Sequence, residues 1–300
     1  MNQESLFTVT NGLSTLGPDL VEIRQMLEGA FTSWAAQCGA GAMLFPPLML
    51  VEDLAKLDYF RNFPHLALIA SPINQEVLED KYVKGPPPRT IPSEHLTTGK
   101  YALPSAACYN IYLHLQGATL GAPKYVTTVA SCFRNELHYT GLERLWGFSM
   151  REIVCVGSAD AVKAHLGAFK EKLLAVSERI GLSLEVQVAT DPFFQQQSNR
   201  ALMQQIFPVK EEFVYKESVA IASVNFHRNF FGERCDIRTE NGEAAFSGCV
   251  AFGIERWLHA LVDRFEGDVK IIKEAVSALQ AFRADTLTAT IGDNQWRTPR

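Results

Sequence analysis

Two segments hold the residues with the most chemical potential. The first runs Ser131-Cys132-Phe133-Arg134-Asn135-Glu136 and resumes at Gly141-Leu142-Glu143-Arg144-Leu145-Trp146-Gly147-Phe148-Ser149-Met150-Arg151-Glu152. It reads as strand, loop, strand. An antiparallel hairpin would bring Arg134, Arg144 and Phe148 to one mouth. Arginine's planar fork matches a phosphate bidentately, and an aromatic ring beside it suits a purine face. Surface ion pairs, Arg134 with Glu136 and Glu143 with Arg144, account for the same spacing and would contribute little. The second segment, Phe246 to Arg256, is a glycine-bounded strand entering a helix near Gly253. An arginine in a first helical turn opposes the macrodipole. It is better placed if an anion sits on the helix N–H groups there; a packed strand–helix junction with an exposed arginine is the alternative.

The elements that must position these residues follow from periodicity. Apolar residues at helical spacing cover 17–38, with Gly39 and Gly41 as stop signals. Ala42–Phe45 is an apolar run ended by Pro46 and Pro47, and Val51–Phe60 is amphipathic. Lys84–Thr98 holds four prolines and reads as an exposed loop. Tyr125–Phe133 and Met150–Val156 read as strands, Asp160–Ile180 as a helix capped by Gly181, and Leu184–Ala189 as a strand. Glu212–Ser223, Gly232–Ile237 and Gly248–Gly253 are expected strands, followed by helices at Ile254–Phe265 and Val269–Phe282 and a polar tail. The pattern predicts an α+β fold, an antiparallel sheet with helices packed against it.

Composition sets the outer bounds. The 300 residues are 47% hydrophobic and 20% charged, enough for a sizeable core and for one catalytic domain spanning 1–300, its core at about 17–283. A net charge of −5 argues against a chain living by phosphate-backbone contact. No stretch is long and apolar enough for a membrane span, and Met1–Leu16 lacks a basic segment followed by an apolar run, so a cytoplasmic location is expected. Cys38, Cys108, Cys132, Cys155, Cys235 and Cys249 are scattered without a CxxC pair, which does not suit a disulfide framework.

Taken together, the segments resemble the class II aminoacyl-tRNA synthetase core. FRNE, GLERLWGF and MRE are similar to motif 2 of that class, and GCVAFGIER to motif 3. The resemblance is strongest to the archaeal-type seryl-tRNA synthetase core, and within it to the small amino acid:carrier-protein ligases. FPPLMLVEDLAKLDYFRNFPHL (45–66), LPSAACY (103–109), EVQVATDPFF (185–194) and SVNFHRNFFG (223–232) extend it over most of 40–265. It implies a class II antiparallel sheet flanked by helices. It also implies a zinc ion held by Cys108, Glu152 and Cys249, whose separations of 44 and 97 residues hide the site from local inspection. Three protein ligands leave a fourth position for a substrate amino group. The other four cysteines read as small buried apolar residues; Cys132, beside motif 2, is the main competitor for a ligand role.

The activity implied is attack of an amino-acid carboxylate on the α-phosphate of ATP, with Mg²⁺, giving an aminoacyl-adenylate. The resemblance assigns Arg134 to the α-phosphate and carboxylate, and Phe148 to adenine. Arg256 goes to the other adenine face or the γ-phosphate, and Glu136 to the adenine amino group. Arg144 and Glu217 complete the ATP side, Glu217 as a catalytic Mg²⁺ contact. Lys210, Glu212, Ser223, Asn225 and His227 fall on the substrate side. About 40 residues precede the core, too few for a tRNA-binding arm. The expected acceptor is therefore the phosphopantetheine thiol of an acyl or peptidyl carrier protein, with tRNA disfavoured and a small amino acid, glycine or alanine, as substrate. Motif 1 at 17–47 implies a homodimer. A truncated enzyme acting on tRNA, or a non-catalytic paralogue, are the alternatives. Lys163, Lys170 and Lys172 are candidates for a basic patch facing an acidic carrier. The stretch 195–205 lacks the glycine and lysine expected there.

Overall fold

The computed structural model describes residues 6–195, 197 and 209–282. Most of 195–205 and the tail after 284 lie outside these described residues. A hairpin of β1 (Phe7–Thr10) and β2 (Leu13–Leu16) opens the chain, turning at Asn11 and Gly12, both with positive φ. Helix α1 (Pro18–Gln37) follows, with proline at its first position, Asp19 in its first turn and a buried stripe of Leu20, Ile23, Leu27, Ala30, Phe31 and Trp34.

The main sheet contains β3 (Gly41–Ala42), β7 (Lys124–Phe133), β8 (Gly147–Gly157), β9 (Leu184–Val188), β10 (Lys210–Tyr215), β11 (Val219–Arg228) and β12 (Phe246–Gly253). Its order is β9-β10-β11-β12-β8-β7-β3. All pairs are antiparallel except the short parallel contact of β3 with β7. A small second sheet joins β4 (Met49–Leu50), β6 (Tyr101–Leu103) and β5 (Leu68–Ala70), with α2 (Val51–Lys56) and α3 (Tyr59–Asn62) beside it.

Strand alternation gives the main sheet two faces. One face, with Ile153, Cys155, Val250 and Phe252, joins a core with α1, α5 (Ala159–Arg179), α7 (Ile254–Arg264) and α8 (Val269–Gln280). Phe31 stacks on Phe252 at 4.2 Å, and the Trp34 indole donates to the Leu279 carbonyl. The other face carries Val154, Val156 and Cys249, and packs on α4 (Tyr109–His114) and α6 (Phe230–Arg234). Among the described residues, no helix is long and apolar enough to cross a membrane.

Three expectations are corrected. Glu212–Ser223 is two strands, broken by a turn at 216–218 where Lys216 takes φ +52° without a glycine or proline to announce it. Gly232–Ile237 begins inside helix α6, and Gly232 marks a close approach rather than a strand start: a β-carbon there would meet the Ala245 carbonyl oxygen at 2.1 Å. Val51–Phe60 splits at Asp58, which is left-handed. The lysine patch on α5 is also not one surface. Lys172 is buried, donating to Gln37 at 2.6 Å beside the Trp34 ring, while Lys170 pairs with Glu211.

Candidate active site

Two cavities adjoin on the face of the sheet away from the main helical layer. The larger, about 430 Å³, holds Cys108, Glu152 and Cys249; the smaller, about 90 Å³, holds Arg144, Phe148 and Arg256. Both are lined by Arg134, Met150, Lys210, Ser223 and Ala251, so they are two ends of one space.

The sheet register builds the larger end. Glu152 on β8 pairs with Ala251 on β12, so Cys249, two residues away, shares its face. Cys108 arrives from the loop before α4. One ligand atom from each of the three residues lies within 4.8 Å of the others, and all three side chains are buried. The Glu152 Oε1 accepts the N–H groups of Ala107 and Cys108, at 2.8 and 3.2 Å. Its Oε2 is buried with no hydrogen-bond partner. An orphaned carboxylate oxygen beside two thiols is a donor set that fits zinc. Hydrogen bonding to Cys249, burial and the Glu152 charge push the Cys108 thiol well above its ordinary range. The bond from Cys108 draws Cys249 down, but burial and Glu152 outweigh it and hold it at about 11. A divalent cation is the counter-charge that would favour both thiolates. Cys132 stands outside this cluster, its thiol directed at the Ala130 carbonyl.

Behind Cys249, Asn225 Nδ2 lies 3.4 Å from its sulfur and 3.0 Å from the Ser223 hydroxyl. The His227 Nε2 is 3.7 Å from the same sulfur. Burial lowers the His227 pKa to about 4, so the ring is neutral at physiological pH. Tyr109, Phe63, Phe193 and Phe231 form aromatic walls, with Phe63 and Phe193 stacked at 5.3 Å.

At the smaller end, the β7–β8 hairpin sets Cys132 opposite Phe148, just before the loop that starts at Arg134. The Arg134 guanidinium lies 5.0 Å over the Phe148 ring and donates twice to the Ser105 carbonyl, at 3.2 and 3.3 Å. Arg256, in the first turn of α7, donates from Nε to the Glu143 carbonyl at 2.8 Å and from Nη1 to the Ala220 carbonyl at 3.0 Å. That leaves three of its five N–H groups for a ligand. Burial, and then the neighbouring charge of Arg134, lower the Arg256 pKa. Guanidinium groups converging in a partly closed space favour an anion. Arg144 pairs with Glu136 at 3.0 Å, and Lys210 with Glu212 at 2.9 Å and Asp191 at 3.6 Å. Phe148, Met150 and Glu152 alternate onto one face of β8, so a single strand runs through both ends.

Named relatives place the chain in a family. It is 30% identical over 237 residues to amino acid–acyl-carrier-protein ligase 1 of Bradyrhizobium diazoefficiens, covering 73% of this chain and 70% of that protein. To ligase 2 of the same organism it is 31% identical over 253 residues, covering 79% and 73%. The chain belongs to the amino acid–acyl-carrier-protein ligase family. Among solved structures, M. kandleri SerRS in complex with A. aeolicus tRNASec superposes with a TM-score of 0.74 at 20% identity, over 91% of this chain and 58% of that one. The fold is therefore that of the class II synthetases. No protein-family model matches the chain.

In this ligase, the residues expected at the site converge with one exception. Glu217 lies in the exposed 216–218 turn and lines neither cavity, because β10 runs on to Tyr215 before reversing. Its neighbour Lys216 is drawn instead to Asp263 near the end of α7. The carboxylate at the smaller end that sequence reasoning missed is Glu255. It is buried, accepts the Ser149 N–H at 2.7 Å, and burial raises its pKa. Its place directly before Arg256 was the available signal. Asp191, Tyr109 and Phe193 also line the larger end, and nothing in their local spacing sets them apart.

Proposed function

We propose that this ligase activates a small amino acid, glycine or alanine, with ATP and Mg²⁺, and transfers it to the phosphopantetheine thiol of an acyl or peptidyl carrier protein. The observation that carries the reading is the continuity of the two ends: a three-ligand cluster fit for zinc shares its space with converging arginines. Cys108, Glu152 and Cys249 would hold the zinc, which when bound supplies a Lewis-acidic position for the substrate amino group.

The arginines act on the phosphates. Arg134, shared by both ends, spans the point where carboxylate and α-phosphate must meet. The carboxylate oxygen bonds to the α-phosphorus and pyrophosphate leaves. Arg134 and Arg256 stabilise the charge that develops on the phosphoryl oxygens. Phe148 offers a ring face to adenine, with Glu136 and Arg144 at the rim. Lys210, Glu212, Ser223 and Asn225 line the passage between amino acid and nucleotide. In the second step the pantetheine thiolate attacks the adenylate carbonyl, AMP leaves and a thioester forms. The names of the two B. diazoefficiens relatives support the carrier-protein acceptor over tRNA, and the choice of a small side chain rests on the family resemblance. We further propose one catalytic domain over about 17–283 and a homodimer joined around 17–47, where Val21 and Leu44 present exposed apolar side chains.

The test is ATP–pyrophosphate exchange across the amino acids, then transfer of the activated residue to a phosphopantetheinylated carrier and to tRNA. Exchange that responds to one small amino acid, with loading of the carrier alone, is the expected result. No exchange with any amino acid overturns activation, and loading of tRNA alone overturns the acceptor.

A further inference from the structure

The wall behind Cys249 contains a chain of groups, running through His227 on the substrate side, that no step of the activation chemistry above uses. Tyr112 is fully buried, its ring stacked on Phe231 at 3.8 Å with an 8° interplanar angle. Its hydroxyl lies 3.1 Å from His227 Nδ1. Ser247, also fully buried, places its hydroxyl 3.4 Å from the same nitrogen. The opposite nitrogen, Nε2, faces the Cys249 sulfur at 3.7 Å. The imidazole stands edge-on to Phe231, with centroids 5.0 Å apart and planes 88° apart. Packing therefore fixes the plane of the ring, and hydroxyls bracket one of its two nitrogens.

The tautomer follows from the sulfur. Once a metal holds Cys249 as a thiolate, its sulfur offers only lone pairs, so the nitrogen facing it must carry the hydrogen. Nε2–H then donates to Cys249, and Nδ1 is left as the acceptor that the buried Tyr112 hydroxyl needs. In this arrangement Nε2–H has an acceptor, and the single Nδ1 lone pair takes the nearer hydroxyl, that of Tyr112. In the opposite tautomer, two lone pairs would face each other across 3.7 Å. His227 is not part of the three-ligand cluster, so its reach is to a ligand. Outer hydrogen bonds of this kind orient a metal ligand and tune its basicity, and their loss typically costs about 10–100-fold in metal affinity.

We propose that His227, held in a single tautomer by Tyr112, is a positioning residue that hydrogen-bonds the Cys249 thiolate and sets its affinity for the metal. The inference rests on the zinc reading above. It adds that the strength and softness of the site are set by a Tyr112–His227–Cys249 chain, with Asn225 as a second donor to the same sulfur.

The test is titration of the metal-free full chain with Zn²⁺ in a chelator competition, and with Co²⁺ while following the thiolate-to-cobalt charge-transfer band. His227→Leu removes the donor and is expected to weaken Zn²⁺ binding about 10–100-fold and shift the band. His227→Gln places an amide N–H near the Nε2 position and is expected to recover part of the affinity. Tyr112→Phe keeps the ring stack and loses only the hydroxyl. It is expected to produce a smaller loss in the same direction and to add nothing once His227 is Leu. Wild-type affinity and an unshifted band in His227→Leu would overturn the proposal, as would full additivity of the Tyr112 and His227 effects. Should His227→Leu fail to fold, Tyr112→Phe with wild-type affinity and band overturns it alone. Failure of the wild-type chain to bind either metal would instead remove the zinc reading on which the proposal stands.

Discussion

The two ends of the reaction space are built on opposite plans. At the larger end, the three candidate ligands come from a loop, a central strand and the neighbouring strand. They meet only because β8 and β12 pair in one register. The three ligand side chains are buried, and backbone N–H groups fix the Glu152 carboxylate. At the smaller end, most groups come from one hairpin with its loop and from the start of α7, and the Arg134 and Arg256 guanidiniums are tethered to main-chain carbonyls. Their charged tips are left over for a ligand. The first plan suits a cation that stays; the second suits anions that arrive and leave in each turnover.

The sharpest way to break this contrast is Cys108→Ala. It should abolish bound zinc, read by elemental analysis, and reduce amino-acid-dependent pyrophosphate exchange by about 10³-fold or more, since several kcal/mol of positioning is lost. Full exchange without zinc would show that the ends do not depend on each other. Arg134→Ala should lower kcat/KM for exchange by roughly 10²–10³-fold while zinc content stays at the wild-type level. Arg134→Lys should recover little, because a point charge cannot reproduce the fork. A metal-depleted Arg134→Ala protein would show the two ends to be one structural unit.

The pH dependence separates the ends further. Both thiols are raised above their ordinary range, so they are protonated at neutral pH and must lose protons to become ligands. Zinc affinity should therefore rise with pH, toward about 100-fold per unit for two released protons. A competition titration at several pH values that showed a flat profile would remove the thiolates from the site. Fold stability follows a different group. His165 is buried on α5, its Nε2–H donating to the Ile153 carbonyl at 3.3 Å, and burial depresses its pKa to about 4 from the ordinary 6.5. The unfolded chain takes up this proton first, so stability is present above pH 6.5 and is lost as pH falls toward 4. Buried His227 carries the same depression, so each of the two histidines is expected to contribute a loss on the order of 2 kcal/mol between pH 7 and 5, and His165→Gln should remove about half of the slope in urea melts. The smallest effect is expected from Glu136→Gln at the solvent-facing rim. Its pair with Arg144 should contribute less than about 1 kcal/mol to stability, so a change confined to KM for ATP would mark a binding role, and no change would mark a surface pair.

The same contrast explains what could be read from the sequence. The helices of the main layer were legible because a single apolar stripe decides each of them, as in α1 and α5. The smaller end was legible because its parts are contiguous: FRNE, GLERLWGF and GIER announce a hairpin and a strand–helix junction. The larger end was not legible from spacing, since a sheet register cannot be read off residues 44 and 97 positions apart, and only the family likeness joined them. Local errors have local causes. Asn11-Gly12 is a two-residue hairpin signal, but the flanking strands are too short for periodicity to mark them. The 216–218 turn carries no such signal, and Glu217 was misplaced with it.

Strand β8 has a consequence for how this family can change. Phe148 and Glu152 sit four residues apart on one face of it, a span of about 13 Å at the strand rise. In the function proposed above, the strand would work as a ruler between the ring for the base and the carboxylate for the metal. Inserting or deleting one residue between them would turn Glu152 into the helical layer and lengthen or shorten the scale by about 3.3 Å. Length variation among descendants of this sequence should therefore collect in the 134–146 loop and leave 148–152 untouched, so that substrates diversify by side chain while the measuring strand keeps its count.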